Sequence, residues 1–245
     1  MSTAGVMPFS ISVDQVGVFC TDIDLLQPVS AVLLDHWDSS SHIFQPPDTV
    51  LGIPEGPYLD QASSNGLAQF HFTIDKLRAA GINIKHCRTF ADIQQIDRVH
   101  RRLISAEMAR VHQAWWPQHS ASYRPLTRNI IESGLEIDDA ELQSLQRDWK
   151  DNMVSVAAEM DDLGIDFWLA PAATDHADRG LGATGNPVMN LPWTHAGMPV
   201  VSLPTHLDDQ DLPHGLQVIG KCNGDEQLLP LCNALSAILS YPVGV

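Results

Sequence analysis

The chain has 245 residues, of which 44% are hydrophobic and 18% charged. That is enough apolar material for a packed core, and it excludes a disordered chain. Thirty acidic against 14 basic side chains give a formal net charge of −16, which repels a phosphate backbone and argues against a nucleic-acid partner. No apolar run is long enough for a membrane-spanning helix.

The first 25 residues contain no Lys or Arg, so they offer no basic region for a secretory or transit signal. Cysteines stand at positions 20, 87, 222 and 232 without a CxxC pair or any metal spacing. Reduced thiols in a cytoplasmic protein, with no cofactor and no metal, is the economical expectation.

In chain order, the first predicted helix is capped by Asp22 or Asp24 and carries Leu25, Leu26, Val29, Val32 and Leu33 at helical spacing. The polar, Pro-rich stretch from Asp38 to Asp48 reads as a loop. Val50 to Ile53 is a short strand closed by Pro54. A helix over 65–80 follows, with Leu67, Phe70, Ile74 and Leu77 on one face, Ala62 to Gly66 at its N-cap and Gly81 at its end. Ile82 to His86 alternates as a half-buried strand does. Strand, helix and strand in so few residues predict a βαβ unit with parallel pairing.

Thr89 to Asp92 fits a capping pattern for a helix that carries Ile93, Ile96, Leu103 and Val111 and is stopped by Pro117. Gly134 is expected to break helix before a second long one from Asp138 or Asp139 to Gly164. Ile165 to Ala170 reads as an apolar strand. Residues 172–192 form a long segment with several Gly and Pro, and a loop of that length usually has a function. Val200 to Leu203 and Leu216 to Ile219 are short strands. An amphipathic helix over 226–239 closes the chain, with Pro230 pushing its regular part downstream. Interleaved strands and helices make the class α/β.

Several constellations invite chemistry. His206, Asp208, Asp209, Asp211 and His214 cluster carboxylates and imidazoles, but the ligand order of a calcium loop is absent, and a solvated hairpin loop is the better reading. Asp175, His176 and Asp178 form a similar group, rejected as a metal site. Arg98 to Arg102 with Arg110 reads as a solvated helix face, and Trp115–Trp116 as core packing at a helix end.

Four landmarks then stand in order: DFWLAPAA (Asp166 to Ala173), NLPWTHAGMPVVSLP (Asn190 to Pro204), LPHGLQVIG (Leu212 to Gly220) and DEQLL (Asp225 to Leu229). Together they resemble the closing third of amidase signature family hydrolases. Ser2 to Phe19 and Leu51 to Asp60 are similar to earlier segments of that family, so the resemblance covers essentially the whole chain.

It implies a mixed central sheet flanked by helices, here a single, partial amidase-like domain over 1–245 that is incomplete at its N-terminal side. It also implies hydrolysis of amide C–N bonds by a serine nucleophile, a second serine and a lysine base. Such a lysine must be neutral to accept a proton. The substrate is a small amide.

The chain departs from the family where the chemistry sits. It has no Ser/Gly-rich run, and none of Lys76, Lys85, Lys150 and Lys221 precedes a serine-glycine cluster. The family's catalytic segment is expected upstream of Met1, so no catalytic residue is assigned here. Substrate-side residues are assigned by the resemblance: Asn186, Trp193, Thr194 and Arg128, which should face one cavity, with Asp175, His176 and Asp178 as a pocket wall because their segment approaches substrate in that family.

Two readings follow. In one, the chain is the substrate-side portion of an amidase, inactive alone, that self-associates or binds an N-terminal catalytic half. In the other, it is a non-catalytic family remnant that binds a partner chain or a small amide.

Overall fold

A computed structural model describes residues 3–38, 48–182 and 184–240. Part of the Pro-rich stretch predicted as a loop, residues 39–47, lies outside the described residues.

Helix α1 (Leu26–Leu33) follows a single 3-10 turn that Asp22 caps through the N–H of Asp24. Strand β1 (Val50–Glu55) is buried along its middle. Pro54 does not close it; it lies inside the strand, opposite Cys87. Helix α2 (Ser64–Ala79) is capped by Ser63, whose hydroxyl accepts from Gly66 N–H, and buries Phe70, Ile74 and Leu77. Gly81 takes the left-handed conformation, with φ of 86°, that turns the chain into β2 (Asn83–Arg88). Strands β1 and β2 pair in parallel, as the βαβ spacing predicts.

The helical middle differs in detail from expectation. Helix α3 (Ile93–His112) is capped by Asp92 itself, while the Thr89 hydroxyl donates to Glu159 at 2.5 Å. Pro117 stops nothing, since it occupies the first turn of the short helix α4 (Trp116–His119), where its missing N–H is harmless. Helix α5 (Pro125–Leu135) is one the sequence pattern does not announce, and Gly134 lies within it. A Cβ at Gly134 would stand 1.9 Å from the carbonyl oxygen of Ser105. That glycine lets α5 cross α3 at close range and does not mark a break.

Helix α6 (Asp139–Leu163) is capped by Asp138 and ended by Gly164 in the left-handed conformation. It buries Leu145, Val156 and Met160.

Strand β3 (Phe167–Pro171) is buried throughout. The long segment after it is partly ordered as a 3-10 turn at Pro187–Met189 and the short helix α7 (Leu191–His195). Strands β4 (Val200–Leu207) and β5 (Pro213–Ile219) form a hairpin whose register shifts between Pro204 and His206. Helix α8 (Asp225–Leu239) begins at Asp225 and carries Pro230 inside it. The proline forfeits one backbone donor near the start, which the helix accommodates.

The sheet order is β2-β1-β3-β5-β4. Strands β2, β1 and β3 run parallel, while β5 pairs antiparallel with both β3 and β4. This is the mixed sheet flanked by helices that the sequence predicts. Burial of β1 and β3 on both faces accords with their central position. Helices α2 and α8 touch each other and pack on the β3–β5–β4 side. The main core joins strands β1, β2, β3, β4 and β5 with α2, α7 and α8. Strand β4 is an edge, and its exposed residues alternate (Val200, Ser202, Pro204) along one open face.

Candidate functional site

An open cleft of about 1580 Å³ lies over that face. Its walls come from the ends of β3 and β5, the open side of β4, the first turns of α2, residues 171–178, 184–187 and 190, and the N-terminal stretch 16–23 with α1. A smaller cavity of about 330 Å³ adjoins it, and Asn190, Val200, Val201 and Asp225 line both.

Asp175 fixes one end of the long segment. Its carboxylate accepts from Ser63 Oγ at 2.5 Å, Asn65 Nδ2 at 2.7 Å and His176 N–H at 2.8 Å. Burial pushes this carboxyl up, but those donors outweigh it and hold it below the usual range. The backbone closes in the same place: Ser63 N–H donates to Thr174 O at 2.9 Å, and a Cβ on Gly66 would lie 2.3 Å from that oxygen.

The other end is held from beneath. Gln217 Nε2 donates to Pro171 O at 2.6 Å and Met189 O at 3.2 Å. Tyr58 OH also donates to Met189 O, at 2.7 Å, and accepts from Trp193 Nε1 at 2.8 Å. Burial pushes the Tyr58 phenol far up, so it stays a neutral donor.

The hairpin end carries imidazoles. His206 and His214 stack with ring centroids 5.5 Å apart, and His214 Nε2 lies 3.4 Å from Asp208 Oδ2. His206 is held below its ordinary value by burial, then by His214 and Lys76. The loop between them is a tight hairpin closed by Asp208 N–H to Leu212 O. Among the described residues no group of three or more His, Cys, Asp or Glu is arranged to hold a metal ion.

The residues assigned from the sequence are dispersed. Asn186 is exposed, lines the large cleft and caps the 3-10 turn through Val188 N–H. Thr194 is half-buried and lines the smaller cavity. Trp193 lines neither, being wholly buried against Tyr58, Phe90 and Trp168. Arg128 sits on α5, is absent from both linings, and has a buried Nε without a partner among the described residues. Neither of these two cavities is lined by all four. Asp175, His176 and Asp178 do line the cleft, as a pocket wall should.

Sequence reasoning does not single out Asn190, Gln217 or the Ser63–Asp175 contact as parts of a site. Gln217 is legible as a polar residue between two buried ones. The distant contact has no local signal.

The lysines are engaged elsewhere. Lys76 donates to Leu239 O at 3.1 Å, Lys85 to Leu163 O and Gly164 O, and Lys221 pairs with Asp161. Lys150 is exposed on α6. None lines either cavity. The basic patch is likewise spent: Arg101 pairs with Asp97, Arg102 with Glu141 and Arg110 with Asp139. Trp115 is exposed, contrary to its expected place in a core, while Trp116 packs with Tyr123. All four cysteines are free, and no helix among the described residues is long and apolar enough to cross a membrane.

Comparison with known proteins agrees with this architecture. The glutamyl-tRNA(Gln) amidotransferase subunit of Trichormus variabilis is 34% identical over 84 residues, 31% of this chain and 17% of that protein. The mitochondrial glutamyl-tRNA(Gln) amidotransferase subunit of Mus musculus is 44% identical over 89 residues, 33% of this chain and 17% of that one. An amidase crystal structure superposes with a TM-score of 0.78 at 20% identity, over 88% of this chain and 51% of that one. A chain from a vestigial complex tied to the origins of an s-triazine catabolic enzyme gives 0.74 at 20% identity, over 95% and 54%. This chain thus spans about half the length of those solved structures, and less of the curated relatives. The family model for Amidase matches residues 1–229, and the chain belongs to that family.

Proposed function

We propose that these residues form the substrate-side portion of an amidase acting on amide C–N bonds of small amides, and that they do not turn over amides by themselves. One observation carries this reading. The cleft is open and carries both polar and apolar side chains, yet no lysine reaches it, since Lys76, Lys85 and Lys221 are engaged by carbonyls or a carboxylate outside it. Amide hydrolysis by a serine and a lysine needs both within proton-transfer reach of one another. The open face of edge strand β4 suits a polypeptide that carries the missing groups, or a second copy of this chain. By this reading residues 1–245 make one partial domain, with Asn186 and Thr194 on its substrate-facing surface and Trp193 packed beneath it against Tyr58.

The test is supply in trans. This chain would be mixed with a separately made polypeptide bearing the lysine and serine pair of an amidase, and turnover of a primary amide measured. Turnover only in the mixture supports the proposal. Lack of any complex between the two would count against the docking part of it.

One observation favours the second reading, a family remnant that binds a partner chain or small amide without cleaving it. A continuous core joins all five strands to α2, α7 and α8 within this chain alone, as a self-contained domain requires. A cooperative melt, monomeric behaviour and amide binding without turnover under any mixing would support it.

A further inference from the structure

The smaller cavity is walled by an unusual polar group. Gln217 is 1% exposed and lies on the interior strand β5, yet it lines this cavity. Its orientation is fixed, because two carbonyl oxygens, Pro171 O and Met189 O, both require the amide nitrogen on their side. Both of its side-chain hydrogen bonds therefore use Nε2, and Oε1 is the end left for the cavity.

An amide oxygen turned to this space can accept a hydrogen bond from whatever enters it. Five further polar side chains line the same space, Gln15 and Ser30 from the N-terminal part of the chain and Asn190, Thr194 and Asp225 from the C-terminal part. Asn190 makes no capping bond to α7 and is free to turn toward a ligand. Thr194 stands one turn along that helix. Asp225 begins α8 and lines the cavity as well. Met198, Leu228 and Leu229 are among the residues that add apolar surface.

We propose that this cavity is a recognition subsite for the N–H donor end of a neutral carboxamide, with Gln217 Oε1 as its principal acceptor and Asn190 and Thr194 as orienting partners. The inference rests on the reading of the adjoining cleft as an amide-binding surface, and it adds which end of the amide is read and where. A carboxylate is disfavoured by Gln217 Oε1 and by the side chain of Asp225. An ester of the same shape leaves Oε1 unpaired. A site built to hydrogen-bond an N–H rejects the analogue that lacks it more strongly than a hydrophobic pocket rejects a change of size.

The test uses the whole chain and needs no turnover. The side-chain NH₂ signals of Gln217 and Asn190 are followed by NMR during titration with benzamide, methyl benzoate, benzoate and benzylamine. Gln217 itself is left intact because its nitrogen anchors the loop; Thr194→Val and Asn190→Ala are the variants. Benzamide should move both signals, the ester and the acid should not, and each variant should weaken benzamide binding several-fold without changing the thermal midpoint.

Equal shifts with methyl benzoate, or tighter binding of benzylamine, would overturn the proposal. If benzamide instead perturbs Ser202 and His214 in the large cleft and leaves Gln217 unmoved, the subsite is wrong while the amide-binding cleft stands. If no amide perturbs either cavity, both fall.

Discussion

Gly134 on α5 faces the Ser105 carbonyl on α3 so closely that a Cβ would stand 1.9 Å from the oxygen. Backbone cannot yield there as a flexible side-chain tip could. Gly134→Ala should therefore push the helices apart and destabilise the chain by about 1–3 kcal/mol, the usual cost of overpacking. Gly182→Ala is the control, because nothing lies within 4 Å of its Cβ position, and it should fall within about 0.5 kcal/mol of the parent. Urea midpoints of the two variants decide; equal midpoints would mean that the crossing is looser than described.

His100 on α3 and His195 on α7 should make the fold acid-sensitive. Their Nδ1 atoms lie 3.3 Å apart, and each is depressed from 6.5 to about 4 by burial first. Arg101 lowers His100 further while Asp97 opposes it, and His195 is lowered by His100. Because the folded values lie below the unfolded ones, the unfolded chain binds more protons between them. The contribution of the pair is complete above about pH 6.5 and is lost as pH falls toward 4. Thermal midpoints across that window should drop, and His100→Gln should flatten the drop. An unchanged slope in the variant would assign the acid sensitivity elsewhere.

Ser63→Ala removes two bonds at once, the cap on Gly66 N–H and the donor to Asp175. A lost cap alone costs about 0.5–2 kcal/mol. The distinguishing readout is local: the start of the 172–186 segment should become more susceptible to limited proteolysis, with cleavage near Arg179. Loss of stability without a change in cleavage would show that Asp175 does not anchor the segment.

The legible parts of this fold are those written in short-range pattern. Phe70, Ile74 and Leu77 announce α2, Gly81 announces its end, and the βαβ spacing announces parallel pairing. Helix α5 escapes notice because Gly134 reads as a breaker in sequence, whereas its role is set by Ser105, a residue far away along the chain. Pro117 misleads for the opposite reason, since proline also suits a first helical turn. At the site, Asp175 and His176 are placed on a pocket wall by the family resemblance of their segment, and they line the cleft. Trp193 cannot be told from a cleft residue, because its burial depends on Tyr58 and Phe90 from other elements.

Exposed apolar groups predict association. Val6, Met7, Ile11 and Phe19 on the N-terminal stretch and Leu207 on edge strand β4 are all exposed. Buried apolar surface contributes about 25 cal/mol per Å², and the net charge of −16 opposes contact less as salt screens it. Size-exclusion chromatography with light scattering at moderate salt should show species larger than 26.9 kDa. A sharp monomer would favour the self-contained, non-catalytic reading.

The most direct measurement is amide turnover by the purified, sequence-verified chain alone, followed as ammonia release from benzamide at high protein concentration. The account predicts no rate above background between pH 6 and 9, with Lys76→Ala, Lys85→Ala, Lys150→Ala and Lys221→Ala indistinguishable from the parent. Turnover that scales with protein concentration and disappears in one of those variants would contradict it.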